Sequence, residues 1–193
     1  MVSKAPLWEG VHHVALVTTD MDATMRFWHD VLRAEIVATM STDLHRAYYF
    51  RVGESQTVAF MEFHGAEQKM KAKRLGVSYP LASQFDHLSL NLENEAAVRA
   101  LRARLIDFGC DVADVVDRGI LRSIYFSDPT GIALEASWWT IDLDAGTLDD
   151  AERFQDPDPV QAFVELKMTG KVFSTPHTTM VDGAARQPTT ARP

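Results

Sequence analysis

The sequence contains an internal repeat, in which one order of strands and helices occurs twice. The segments "HHVALVTTD" and "DHLSLNLE" both read as short strands, and they place His13 and His87 at equivalent positions near the start of each copy. Each is followed by a segment with apolar residues at helical spacing, "DMDATMRFWHDVL" in the first copy and "ENEAAVRALRARL" in the second. The repeat therefore predicts two similar supersecondary units, each with an amphipathic helix packed on a sheet.

Both copies continue as strands that are rich in aromatic and β-branched residues. The first copy has "AYYFRV" and "TVAFMEF", and the second has "SIYF" and "IALEA". Glu62 and Glu135 lie in the final strands, at nearly the same spacing from the histidine of their own copy, and we interpret them as equivalent positions. Each copy thus reads as a βαβββ module with a histidine near its start and a glutamate near its end.

Side-chain alternation indicates where these polar groups point. Leu88 and Leu90 share one face of their strand, so His87 lies on the other face, away from the hydrophobic core. A strand carboxylate such as Glu135 needs a cation, because burying an unpaired charge is costly. If the modules pack as a pseudo-twofold pair, the two histidines and two glutamates meet and supply the donors of a divalent metal site.

The predicted fold class is α+β, with two βαβββ modules forming a curved mixed sheet around a metal-binding cavity. The predicted domain spans residues 1–137, with module 1 at about 11–65 and module 2 at about 84–137. Residues 138–193 are expected to form a C-terminal arm, with one short helix that begins at Pro159 after a capping Asp158 and ends at Gly170, and with a disordered tail.

Composition narrows the range of partners. The 193 residues carry a net charge of −8, and no stretch gathers enough basic residues with aromatics to follow a phosphate backbone, so we expect no nucleic-acid partner. No apolar run approaches the length of about 18 residues that spans a membrane. "MVSKAPLWEG" does not resemble a signal peptide, and Cys110 is a single cysteine. We therefore expect a cytoplasmic protein that has no membrane partner. Trp138 and Trp139, just past the second copy, favour self-association as a homodimer, and the predicted cavity favours a small-molecule substrate.

The chain resembles the vicinal oxygen chelate superfamily over about residues 11–137. This superfamily includes glyoxalase I, type I extradiol dioxygenases, fosfomycin-resistance enzymes, methylmalonyl-CoA epimerase and metal-free bleomycin-binding proteins. "HHVALVTTDMDATMRFWHDVL" is similar to the family's first strand and helix, "FDHLSLNL" to its second opening strand, and "YFSDPTGIALE" to its last hairpin. The resemblance implies the same two-module fold and a divalent metal.

The resemblance also implies roles for individual residues. His13, His87 and Glu135 match the two-histidine, one-carboxylate metal ligands of the family. Glu62 matches the fourth ligand of the glyoxalases, which the dioxygenases lack, and which can also act as a base. Tyr125, on the strand before that of Glu135, matches a tyrosine that assists proton transfer in extradiol dioxygenases.

The resemblance leaves the reaction open between two kinds of enzyme. Three ligands and Tyr125 favour a ring-cleaving, extradiol-type dioxygenase that uses Fe(II) and O2 on a catechol-like molecule. The dioxygenase signature also has a histidine upstream of the tyrosine, where this chain offers only Asp117 and Arg118.

Participation of Glu62 would instead favour a glyoxalase-like lyase, isomerase or epimerase that uses Ni(II), Zn(II) or Mn(II). A metal-free binding protein would have lost the histidines and glutamates. We therefore favour an enzyme, with Fe(II) as its metal.

Overall fold

The computed structural model describes residues 10–65, 85–143 and 146–171. Contacts divide the chain into two compact units, Met1–Leu143 and Asp144–Pro193. No helix in the described part of the chain is long and apolar enough to cross a membrane.

The first module forms a four-stranded sheet with one helix. Its elements are β1 (His13–Val17), α1 (Met21–Met25), β2 (Ile36–Ser41), β3 (His45–Arg51) and β4 (Thr57–Phe63), and α1 continues as a π-helical segment over Arg26–Val31. The strand order is β1-β4-β3-β2, with β1 parallel to β4 and the other pairs antiparallel. Helix α1 begins after Asp20, whose side chain accepts a hydrogen bond from the Ala23 N–H.

The second module repeats this arrangement. Its elements are β5 (Leu88–Asn91), α2 (Glu95–Asp107), β6 (Val116–Asp117), β7 (Leu121–Ser127) and β8 (Ala133–Trp139). The strand order β5-β8-β7-β6 is the same as in the first module, and Asn94 caps α2 as Asp20 caps α1. The predicted pair of βαβββ modules is confirmed, and each module contributes its own four-stranded mixed sheet.

The two modules share one hydrophobic core. The fully buried Trp28 packs on Phe60, with ring centroids 5.1 Å apart. Phe27 of the first module contacts Phe126 of the second at 6.4 Å between centroids. Leu105, on α2, is also fully buried in this core. The helices therefore lie on the faces of the sheets that are sealed from solvent, and the opposite faces remain open for polar side chains.

Backbone carbonyls at the end of the π-helical segment hold the second module against the first. Arg104 on α2 donates from Nε to the carbonyl oxygen of Val31 at 2.7 Å and from Nη2 to that of Asp30 at 2.5 Å. Both carbonyls lie at a helix C-terminus, where free acceptors favour a cation.

The second compact unit contains one helix in its described part. Helix α3 (Gln161–Thr169) ends at Gly170, which adopts a left-handed conformation with φ of 71°. The helix begins at Gln161, later than the start at Pro159 expected from the sequence, and Val160 rather than Asp158 is its N-cap residue. The predicted disordered tail lies outside the described residues.

A substitution on α2 tests which face of this helix is buried. Leu105→Ala should lower the free energy of unfolding by about 2–5 kcal/mol, because it leaves a cavity in the core. Ile106 is 49% exposed, so Ile106→Ala should cost less than about 1 kcal/mol. Urea unfolding followed by circular dichroism measures both values. Equal losses would contradict the packing described for this helix.

Candidate metal centre

The second sheet has an apolar face and a polar face. On β8, Leu134 and Ala136 belong to the core, so Glu135 points to the opposite face. Strand register places Ser89 of β5 and Tyr125 of β7 on either side of Glu135. Side-chain alternation predicts this separation, and the structure gives the glutamate its polar neighbours.

Glu135 and His87 form a close contact on this polar face, which we call the acid–histidine pair. Nε2 of His87 lies 2.7 Å from Oε2 of Glu135, and Nδ1 lies 2.6 Å from Oδ2 of Asp86. Both nitrogens of His87 therefore lie within hydrogen-bonding distance of a carboxylate, and a carboxylate only accepts hydrogen bonds. A metal ion bound by Nε2 and Oε2 would take the place of a proton between them.

The surroundings of Glu135 keep its carboxylate ionised. Burial alone would raise the pKa of Glu135, but the hydroxyls of Ser123 and Tyr125 and the charge of His87 outweigh it, so the pKa lies below its ordinary value. Burial and the neighbouring Glu135 carboxylate raise the pKa of the Tyr125 hydroxyl. Near neutral pH the pair therefore offers an anionic ligand beside a protonated phenol.

The acid–histidine pair suits a divalent metal ion. Two ligand atoms bound to one ion at about 2.0–2.2 Å are about 3.0–3.5 Å apart, so Nε2 and Oε2, at 2.7 Å, need to separate by less than about 1 Å to bind an ion between them. Asp86 holds Nδ1 of His87, and metal-binding histidines usually have such a second partner. Ser123 Oγ is buried on the same face, near enough to the Glu135 carboxylate to help lower its pKa. The chemistry of the donors on this face thus fits a divalent metal ion, which His87 and Glu135 would hold.

His13 occupies the matching position in the first module. Leu16 of β1 faces the core, whereas His13 is exposed on the opposite face of the sheet. The His13 ring meets the Tyr49 ring edge-on with centroids 6.1 Å apart, and His87 meets Tyr125 in the same way at 6.2 Å. The two modules thus carry equivalent histidine–tyrosine contacts.

Ala59, and not Glu62, is the counterpart of Glu135. Ala59 pairs with Tyr49 on the neighbouring strand, as Glu135 pairs with Tyr125. Both also pair with the residue two positions after their module's histidine. Glu62 comes later on the same strand, on the side of the sheet that faces the core. The equivalence of Glu62 and Glu135 expected from the sequence is therefore corrected.

Glu62 has a structural role in the first module. Its Oε1 accepts a hydrogen bond from the Met21 N–H at 2.9 Å, and its Oε2 is paired with Arg46. Met21 is the first residue of α1, and a carboxylate is stabilised at a helix N-terminus. Glu62 therefore lies across the sheet from His13, on the wrong face to act beside it as a fourth ligand or a base.

The structure brings together only part of the predicted site. His87, Glu135 and Tyr125 meet on the polar face of the second sheet, and His13 lies on the first sheet. Within the described ranges, no three side chains of His, Cys, Asp or Glu are close enough to hold a metal ion. In a single chain the predicted site residues therefore form two groups, with His13 on the first module and His87, Glu135 and Tyr125 on the second.

Sequence reasoning missed two features that the structure makes plain. Asp86, next to His87 in the sequence, holds the imidazole, and an acidic residue beside a predicted ligand could have suggested it. The match of Ala59 to Glu135 becomes visible when "YYF" of the first copy is aligned with "IYF" of the second, so that Tyr49 corresponds to Tyr125. In this alignment the sequence offset between the copies is longer than the offset between the two histidines.

The chain belongs to the Glyoxalase/Bleomycin resistance protein/Dioxygenase superfamily, whose family model matches residues 10–136. This membership confirms the resemblance found in the sequence. The comparison with curated proteins gives no match.

Solved structures from the same superfamily share the fold. A glyoxylase/bleomycin resistance protein/dioxygenase domain from Frankia sp. EAN1pec is 22% identical, with a TM-score of 0.59 over 68% of this chain and 98% of that chain. A lactoylglutathione lyase from Agrobacterium tumefaciens is 20% identical, with a TM-score of 0.51 over 69% and 96%. The fosfomycin resistance protein FosX from Listeria monocytogenes is 18% identical, with a TM-score of 0.53 over 70% and 97%. At these identities the likeness shows the fold and leaves the reaction undecided.

Metal retention tests the acid–histidine pair. After reconstitution with Zn(II) and gel filtration, the wild type should keep about one ion per chain, and His87→Ala and Glu135→Ala should each abolish retention, because each removes a ligand. Elemental analysis measures the metal content. Glu62→Gln is the matched control, since it changes a glutamate on the other side of the first sheet and should keep the metal. Loss of metal in this control, or retention in both pair variants, would contradict the assignment.

Proposed function

We propose that the protein is a metal-dependent enzyme of the extradiol dioxygenase type, which cleaves the ring of a catechol-like molecule. Its ligands would be His13, His87 and Glu135, and Tyr125 would move a proton at the substrate. The observation that carries this proposal is Ala59 at the position equivalent to Glu135. An alanine cannot bind a metal, so the site offers three protein ligands and no fourth.

The number of ligands bears directly on the type of reaction. Two histidines and one carboxylate form the ligand set typical of non-haem Fe(II) oxygenases, which keep open positions for a diol and for O2. A bound Fe(II) ion would supply Lewis acidity and electron transfer to O2. The remaining roles fall to side chains of the protein.

Tyr125 is suited to proton transfer with a diol. Its raised pKa keeps the phenol protonated near neutral pH, so it can donate a hydrogen bond to a substrate oxygen that loses its proton on binding. Glu135, whose pKa is lowered, stays ionised beside Tyr125 on the neighbouring strand. The edge-on contact with His87 holds the Tyr125 ring beside the acid–histidine pair.

We further propose that a second copy of the chain supplies His13. His13 is exposed, and no third ligand lies near His87 and Glu135 in the described part of one chain. Val17, on the same face as His13, is also exposed, at 39% of its surface. Two chains related by a twofold axis would place each first module against the partner's second module and complete two identical sites.

Oxygen consumption tests the proposed reaction. The Fe(II)-reconstituted protein should take up O2 when a suitable catechol is added, and an oxygen electrode with a panel of substituted catechols measures this. Tyr125→Phe should lower kcat by about 10²–10⁴-fold with a smaller effect on KM, because it removes the proton and keeps the ring. Tyr48→Phe, on the core-facing side of β3, is the matched control and should leave kcat unchanged.

One combination of results would contradict the dioxygenase proposal. If no diol drives O2 uptake while the Ni(II) or Zn(II) form converts a hemithioacetal without O2, the protein is a lyase of the glyoxalase type and the dioxygenase proposal is wrong.

Mixed dimers test whether His13 acts across the interface. Chains carrying His13→Ala and chains carrying His87→Ala should each fail to retain metal alone. A mixture that has been refolded together should recover metal, because one site of each heterodimer joins the intact His13 of one chain to the intact His87 of the other. Elemental analysis of the separated heterodimer measures the recovery. No recovery in a confirmed heterodimer would show that the ligands meet within one chain.

A further inference from the structure

The hairpin between β6 and β7 places an arginine on the polar face of the second sheet. Val116 pairs with Ser123, and the Arg118 N–H donates to the carbonyl oxygen of Leu121 at 2.9 Å. Because facing residues of antiparallel strands share a face, Arg118 lies on the side that carries Ser123 and Tyr125. Arg118 is thus on the same face as the acid–histidine pair.

The two arginines of this hairpin differ in their partners. Arg122 lies on the other face and is held by Asp117 at 2.8 Å and by Glu95 at 2.9 Å. Arg118 is exposed and has no carboxylate partner among the described residues. Its guanidinium lies near the Tyr125 hydroxyl, where it acts to lower the pKa of that phenol against the effects of burial and Glu135.

An unpaired guanidinium at this place needs an explanation, because the chain as a whole is acidic, with a net charge of −8. Arg51 and Arg102, like Arg122, are paired with carboxylates in the structure. A guanidinium presents a planar fork of donors that matches the oxygens of a carboxylate or a phosphate. Arg118 therefore has the chemistry of an anion-binding residue, and apart from its contact with the Tyr125 hydroxyl no carboxylate of the described residues pairs with its fork.

We propose that Arg118 binds an anionic oxygen group of the substrate, a carboxylate or a phosphate, while the reacting part of the substrate lies at the acid–histidine pair. The substrate is then an acidic molecule and not a neutral diol. This inference rests on the proposed function for the place of the reacting group. It assigns Arg118 a role in specificity, next to Tyr125 and away from the metal ligands.

Three matched ligands test this proposal without turnover. Benzyl alcohol, benzoate and phenyl phosphate are similar in size and differ in charge, and calorimetric titration of the Zn(II)-loaded protein measures their affinities. At least one of the two anions should bind about 10-fold or more tightly than benzyl alcohol, because a charge-assisted hydrogen bond contributes at least this much. The tighter anion identifies the group as a carboxylate or a phosphate.

Variants on the two faces of the hairpin show which residue is responsible. Arg118→Gln should reduce the affinity for the preferred anion to that for benzyl alcohol, whereas Arg122→Gln should keep the preference. Equal affinities for the three ligands in the wild type would overturn the proposal. An unchanged anion preference in Arg118→Gln, or an equal loss in Arg122→Gln, would also overturn it.

The same titration on metal-free protein separates this proposal from the proposed function. If the protein retains no metal but Arg118 still selects the anion, the metal site is wrong and the anion site stands. If the metal is retained and no anion is preferred, the metal site stands and the role of Arg118 is wrong.

Discussion

The alternation of side chains along β8 is the constraint on which the site depends. Leu134 and Ala136 are sealed in the core that both modules share, so Glu135 must point to the opposite face. A shift of one residue in this strand would bury the carboxylate against the helix and expose the two apolar side chains. The hydrophobic core therefore fixes the direction of the acid, and the neighbouring strands supply His87 and Tyr125 on the same side.

Much of the fold could be predicted from the sequence because local signals agree with the final structure. Asp20 and Asn94 cap the two helices, and the strands alternate with a clear period. The spacing from the histidines alone misplaces Glu62, because the offset between the modules is longer at β4 and β8 than at the first strands. A repeat offset is constant only while connecting segments keep their length, and here they do not.

The arrangement of the modules could not be read from the sequence either. Pseudo-symmetry predicts that His13 and His87 are equivalent, and the edge-on tyrosine contacts agree with this. The pseudo-symmetry fixes where each histidine lies within its own module. The distance between the two histidines also depends on how the helices of the two modules pack. In this chain Arg104 joins α2 to the end of the π-helical segment, and the two open faces belong to separate sheets.

The alanine at position 59 also bears on how members of such a family come to differ in chemistry. It lies in the middle of a fully paired strand, next to Tyr49, where the backbone is already shaped to carry a side chain toward the open face. One amino-acid substitution, Ala59→Glu, would add a carboxylate at the position that matches Glu135. On the proposed function, this single substitution separates a site with three ligands from a site with four, and a new reaction could be selected without rebuilding the fold.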